Sequence, residues 1–410
     1  MQSWWLVGVG LVASLGCSSK TANPLTCGAG TRRVGNECLP LDAGPADAHV
    51  DARADAPPDA APIGSSSTTI GLGPLQDGLQ PLDTVRSPLA PVWTQSFGGN
   101  VTYPVVANEV VYVSVAMPGA SSVSALDIHN GTTRWGPISV GPRALLTYDD
   151  GRLFTLTNDG RLSAYDAATG LLVWSVQLQD QTFFNAPPVA VAGRVYVAAQ
   201  GSGGTVYALD GSNGNLLWTY PDEGSDGTVA VAGGVVYVGE PCSRFLALNA
   251  TTGTRLWDRG GNCTGGGGAT ASVHGARIWA RDPTEGGVIV DHGGTALGTF
   301  TADALPAFLG GTVFYRNGST VTAVDIASAT RRWSFTGDGF LTTAPLVAGA
   351  GGQIFVASRM GTVYELDAAT GAQRSTYDVG TQIPYFMENM SWSLADDHLL
   401  LPLGSQLVVF

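Results

Sequence analysis

Side chains that could take up protons or hold a metal are few and scattered in this chain. Beyond the first hundred residues the histidines are His129, His274, His292 and His398, and acids adjoin at Asp149-Asp150, Asp222-Glu223 and Asp396-Asp397. General acid–base work needs a titratable group held against a partner, and a metal site needs ligands at short, set spacings. Each histidine stands alone in a predicted turn or strand, and neither HExxH nor GxSxG occurs. The acid pairs lie beside glycine or histidine in predicted hairpin turns, where solvated residues are expected. The acidic run from Asp222 to Asp226 offers oxygens to a surface cation, but solvation of its turn is the simpler reading. The chain's one lysine is Lys20, so Schiff-base and P-loop chemistry is excluded from the folded body. No residue is therefore assigned to catalysis, to a metal or to a cofactor. A formal net charge of -13 also excludes nucleic acid as a partner, because neutralising phosphates requires a basic patch.

The remaining chemistry belongs to cysteine. Trp4 to Gly16 is an apolar run of thirteen residues, too short for a bilayer core of ~30 Å and of the length of a secretory h-region. The next residues, Ser14-Leu15-Gly16-Cys17-Ser18, resemble a bacterial lipobox, although Ser14 replaces the usual leucine and Met1-Gln2-Ser3 carries no positive charge. The resemblance implies a signal peptide of residues 1–16, acylation of Cys17 and tethering to a membrane surface. Ser18 after the cysteine implies the outer membrane. The plain alternative is a cleaved signal with Cys17 incidental. Export would place the other four cysteines in an oxidising compartment. Cys27 and Cys38 bracket a turn-rich segment that one disulfide can close, which makes residues 17–38 a small looped N-terminus. Residues 39–90 turn to Ala, Asp, Pro and Ser, with Asp47, Asp51, Asp55 and Asp59 at every fourth position. Pro57, Pro58 and Pro62 argue against a helix, so a disordered, extended linker is expected.

The body from residue 91 to 410 is one repeated unit. ALDIHNGTTRW begins at Ala125, AYDAATGLLVW at Ala164, ALDGSNGNLLW at Ala208, ALNATTGTRLW at Ala247, AVDIASATRRW at Ala323 and ELDAATGAQRS at Glu365. The anchors are Asp127, Asp166, Asp210, Asn249, Asp325 and Asp367, followed eight residues later by Trp135, Trp174, Trp218, Trp257, Trp333 and, in the last copy, Ser375. The gap of 76 residues between Asn249 and Asp325 holds a degenerate copy around Asp291. Two apolar runs joined by a turn precede each copy. A period near forty residues with four short strands per unit is the pattern of propeller blades.

Each part of the unit has a physical task. The anchor carboxylate accepts hydrogen bonds from turn N–H groups, and Gly131, Gly170, Gly214, Gly253 or Gly371 supplies a positive φ. The tryptophan then lies against the adjacent blade. Complete units begin near Val101, Arg143, Pro187, Thr228, Ala269, Pro306 and Pro345, and the remainder supplies three strands of an eighth. Its fourth strand is found at the other end of the body, in Pro91 to Phe97 around Trp93. The expected fold is all-β: an eight-bladed propeller of four-stranded antiparallel blades, closed by strands from both ends. Cys242 and Cys263 follow the second and fourth strands of one unit, whose loops emerge on the same face. A second disulfide is feasible there, with two free thiols as the alternative.

The repeats closely resemble the quinoprotein tryptophan-docking motif, so residues 91–410 resemble the PQQ-like β-propeller repeat family. For the enzymes of that family the resemblance implies a quinone and calcium at the ring centre and oxidation of alcohols or sugars. Their adjacent-cysteine pair has no counterpart here, and these blades are minimal. The resemblance also extends to the BamB family, lipid-anchored non-catalytic rings of the β-barrel assembly machinery. The Cys27–Cys38 loop and the long spacer depart from it. The expectation is a non-enzymatic, monomeric envelope scaffold that binds an unidentified envelope protein or polymer. A PQQ- and calcium-dependent dehydrogenase and a sugar- or peptide-binding surface protein are the alternatives.

Overall fold

The computed structural model describes residues 31–34, 37–40 and 65–410, apart from 202, 223, 226, 241–243, 261–269, 282–286 and 384–391. Two compact units are present, Met1–Ala61 and Pro62–Phe410. Within the first, Thr31–Val34 and Glu37–Pro40 form an antiparallel hairpin that includes Cys38. Cys17, Cys27, Cys242 and Cys263 lie outside the described residues.

The second unit is an eight-bladed β-propeller whose blades are antiparallel meanders. Blades 2 to 7 follow the chain, and their innermost strands are Leu145–Asp149, Val189–Val191, Ala230–Ala232, Ala271–His274, Ala307–Leu309 and Leu346–Ala348. In blade 1 Asn100–Val101 and Val105–Ala107 both pair with the next strand, Val110–Met117. Blade 8 is composite: Ser393–Ala395, His398–Leu403 and Gln406–Val409 are completed by Trp93–Ser96, with Val409 opposite Trp93 and Gln406 opposite Ser96. The two strands that close the ring thus come from opposite ends of the body, as expected. Closure leaves no unpaired edge between the first and last blades.

Sequence parity explains the burial. Inner and middle strands are buried on both faces, as in the BBB pattern of Val105–Ala107 and the BBBBB pattern of Gln353–Ala357. They therefore read as continuous apolar runs. Outer strands alternate, as in the eeieie pattern of Leu172–Gln177. Apolar clusters lie between successive blades; one joins Tyr196, Val206 and Trp218 of blade 3 to Val231, Val236 and Leu248 of blade 4.

One boundary differs from expectation. The linker expected to run to residue 90 does not: Ile70, Leu72, Val85 and Leu89 are at most 5% exposed. Leu79–Gln80 pairs in parallel with Val347 and Ala348 of blade 7. Residues 65–90 are part of the ring, held by backbone hydrogen bonds that composition does not reveal.

Candidate functional site

The docking motif positions six of the eight blades against the next. Asp127 Oδ1 accepts from the backbone N–H of His129 at 3.0 Å, and Asp166 Oδ1 from that of Thr169 at 3.0 Å. Asp210, Asn249, Asp325 and Asp367 make the equivalent bonds to Ser212, Thr251, Ser328 and Thr370. The degenerate fifth copy also keeps this cap, from Asp291 to the N–H of Thr295. Arg134, Arg332 and Arg374 add ion pairs to the second oxygen of Asp127, Asp325 and Asp367. These guanidinium bonds hold all three carboxyls below their ordinary range, that of Asp367 at about 2.

Each docking tryptophan donates its indole N–H to the carbonyl just after the next blade's anchor. Trp93 bonds Ile128 at 2.6 Å, Trp135 bonds Ala167 at 2.9 Å, and Trp174 bonds Gly211 at 3.0 Å. Trp218 bonds Ala250 at 3.2 Å, Trp257 bonds His292 at 2.8 Å, and Trp333 bonds Ala368 at 3.0 Å. The motif glycine is pressed beneath the same ring: a Cβ on Gly253, whose φ is +69°, would lie 2.6 Å from Trp218. The glycine thus serves a turn and a close approach together.

Two joints depart from the rule, and each departure is compensated. Blade 5 has Gly298 opposite Ile289, the place of the tryptophan. There Arg277 Nη1 bonds the Ile326 carbonyl at 2.8 Å instead. With no indole above it, the turn glycine of blade 6 is replaced by Ala329, which keeps φ at 55°. Blade 7 has Ser375 opposite Glu365. Its slot is filled by residues 84–89.

The ring axis is filled by the chain itself. Ser67 exchanges backbone hydrogen bonds with Val106 of blade 1, at 2.9 and 2.8 Å. Thr68 accepts from Tyr148 of blade 2 at 3.0 Å, and Thr69 Oγ1 donates to Pro188 of blade 3 at 3.1 Å. Pro74 and Leu75 each accept at 2.8 Å, from Val231 of blade 4 and Val273 of blade 5, and Gly78 accepts from Val347 of blade 7 at 2.9 Å. Ser67 Oγ meets Ser393 Oγ of blade 8 at 3.0 Å, and Gly78 packs on Ala307 of blade 6. A segment bound to the inner strands of all eight blades occupies the axis.

Among the described residues nothing there fits a quinone with calcium. Calcium takes 6 to 8 oxygens in ordinary sites, and a quinone needs an aromatic or other flat platform. The cavity over the plug is about 210 Å³, and its described lining is the plug's own residues, with Asp77 as the carboxylate and no aromatic side chain among them. Thr68 Oγ1 and the Gln76 amide are buried without hydrogen-bond partners among the described residues, too small a donor set for the ion. No group of three or more His, Cys, Asp or Glu able to hold a metal occurs among the described residues.

The acids expected to be solvated in turns are not uniformly so. Asp149 accepts from the Gly193 N–H at 2.7 Å, and burial raises its pKa. Burial, with the charge of Glu240 beside it, pushes Asp222 up to about 7. Asp396 is pushed up to about 6, chiefly by burial, with Asp83 and Glu109 adding to it. Strand ends near the next blade bury these groups, which spacing alone does not show.

The rim divides by chemistry. The position before the docking residue is Arg134, Arg332 and Arg374 in blades 1, 6 and 7, but Val173, Leu217, Leu256 and Leu297 in consecutive blades 2 to 5. Those four are 42 to 50% exposed, and Leu171, Leu172 and Leu216 beside them are 57 to 68% exposed. An apolar arc therefore runs along four neighbouring outer strands.

Comparison with known proteins agrees with this architecture. The 1-butanol dehydrogenase (cytochrome c) of Thauera butanivorans is 39% identical over 100 residues, covering 22% of this chain and 14% of the enzyme. BamB of Bordetella pertussis is 28% identical over 176 residues, 40% of this chain and 44% of that protein. The chain thus spans well under two thirds of the curated relatives it matches. Among solved structures, a europium-containing methanol dehydrogenase superposes with a TM-score of 0.67 at 15% identity, covering 82% of this chain and 89% of that one. BamB from Moraxella catarrhalis gives 0.59 at 19% identity, over 78% and 96%. These structures share the fold. The family described as outer membrane protein assembly factor BamB matches residues 119–268 and 268–410, and with its docking turns, indole bonds and composite eighth blade this chain belongs to that PQQ-repeat family.

Proposed function

We propose that this protein is a non-enzymatic, lipid-anchored scaffold of the cell envelope that binds other proteins on its outer surfaces. The observation that carries the reading is the self-filled axis: residues 65–80 take the space in which the dehydrogenases of this fold would seat a quinone. What remains for recognition is rim and loops. The arc of Val173, Leu217, Leu256 and Leu297 offers apolar area of the kind that marks protein contacts. The family match to an outer membrane assembly factor favours an envelope protein, rather than a polymer, as the partner. In this reading Cys17 carries the lipid, the outer membrane is the address, and Cys27–Cys38 and Cys242–Cys263 are disulfides.

Mild detergent extraction of the full-length protein, affinity purification and mass spectrometry test the proposal. Recovery of outer-membrane assembly proteins, lost on Leu217→Asp or Leu256→Asp, is the expected result. Dye reduction with an alcohol after addition of PQQ and calcium would overturn it.

A further inference from the structure

We infer that the joint between blades 7 and 8 is a peptide-binding groove, occupied in this chain by its own residues 84–89. The groove reads backbone. The Val85 N–H donates to Gln353 Oε1 at 2.8 Å while Gln353 Nε2 donates to the Val85 carbonyl at 2.7 Å, a two-point clamp indifferent to the side chain. Ser375 Oγ accepts from the Leu89 N–H at 3.3 Å. At the centre lies Glu365, 0% exposed, whose carboxylate accepts from Gln353 at 2.9 Å, Ser87 at 2.8 Å and Ser375 at 2.6 Å. A buried carboxylate tolerates desolvation only when so bonded, so these groups form a built site.

The departures of the seventh repeat are spent on this ligand. Where Glu365 stands, five other copies have Ala125, Ala164, Ala208, Ala247 and Ala323, and where Ser375 stands the same five have tryptophan. Val85 and Leu89, 1% and 5% exposed, enter the apolar cluster of Phe355, Leu399 and Phe410, while Arg86 and Pro88 face outward. Val85 and Leu89 therefore point inward, and between them Ser87, itself exposed, reaches the buried Glu365 with its hydroxyl. The ligand class follows: a short peptide with apolar, hydroxyl and apolar side chains at alternate positions, held through its main chain at the two apolar positions.

Hydrogen exchange on the full chain tests the occupant. The Val85 and Leu89 amides should exchange as slowly as those of the Gln353–Ala357 strand; exchange at exposed-loop rates would overturn the proposal. A full-chain Val85→Asp/Leu89→Asp variant should release the strap while the ring stays folded by circular dichroism. A fluorescent peptide of sequence LDTVRSPLA should then bind that variant at least ~10-fold more tightly than the wild type, and lose this binding when Glu365→Ala is added. Equal binding to variant and wild type would refute the groove. Should that variant not fold, the milder Val85→Ala/Leu89→Ala pair is put through the same peptide titration, and equal binding to it and to wild type refutes the groove.

Discussion

Trp218→Ala is the sharpest test of the blade joints. Trp218 is 9% exposed, lies 6.0 Å between centroids from Tyr196 and covers Gly253 of the next blade. Burial of a tryptophan removes about 150–250 Å² from water, worth ~4–6 kcal/mol at ~25 cal/mol per Å², and core truncations of this kind cost about 3–5 kcal/mol. The lost hydrogen bond adds little, because the Ala250 carbonyl also accepts from Tyr196 Oη at 3.1 Å and stays satisfied. A net loss of ~4 kcal/mol is expected. With an unfolding entropy of ~2.1 cal/mol/K per residue over roughly 350 residues of Pro62–Phe410, the melting temperature should fall by about 5 °C. Thermal melts followed by circular dichroism read this directly, with Trp218→Phe as the control that keeps most of the area and loses the indole bond. The control should recover more than half the loss. A Trp218→Ala melt within about 1 °C of wild type would refute inter-blade docking as a source of stability.

Three further outcomes follow from the same geometry. Gly253→Ala should cost ~2 kcal/mol or more, because its Cβ would strike Trp218 at a positive φ, whereas Ala329→Gly, with no indole above it, should shift stability by less than ~1 kcal/mol; denaturant melts giving the reverse order would contradict the account. Arg277→Ala should cost ~2 kcal/mol by leaving the Ile326 carbonyl unpaired, and Arg277→Lys should fail to recover most of it in the same assay. Asp222 is held protonated to about pH 7 by burial and Glu240, while the unfolded chain ionises it near ~3.9. The folded state binds the extra proton between these limits, so stability falls as pH rises through that window, by up to ~4 kcal/mol, and remains lost above it. Asp222→Asn should flatten this fall and be more stable than wild type at pH 8; parallel pH profiles for the two would exclude the assignment.

Much of the ring is legible because its determinants are local. An anchor acid, a turn glycine and a tryptophan at constant offsets suffice to recognise a blade, and Trp93 far from Phe410 suffices to show the composite closure. The plug and strap are not legible in this way. Ile70, Leu72, Val85 and Leu89 are isolated apolar residues among Pro, Gly and Ser, and most of the plug's bonds use main-chain atoms that carry no sequence signal. The available signal lay in the host: Glu365 and Ser375 break the repeat together, as do Gly298 and Ala329 at the other irregular joint. A paired breach of a strong repeat marks a place where something else supplies the contact. The buried acids escaped for a similar reason, since Asp222 sits in a turn by composition but is buried beside Glu240 of the next blade.

The composite eighth blade also governs time. Apart from the parallel Leu79–Gln80 strand on blade 7, blades 1 to 7 consist of hairpins between neighbours in sequence, which close quickly and locally. The pairing of Trp93–Ser96 with Gln406–Val409 joins segments more than three hundred residues apart, and the strap spans nearly the same separation to reach Gln353 and Glu365. Both must wait until the intervening blades have brought their ends together, because the loop-closure entropy is otherwise unmet. Seam and strap are therefore late events of one step, and the half-made ring exposes the apolar faces of blades 7, 8 and 1 until that step is complete.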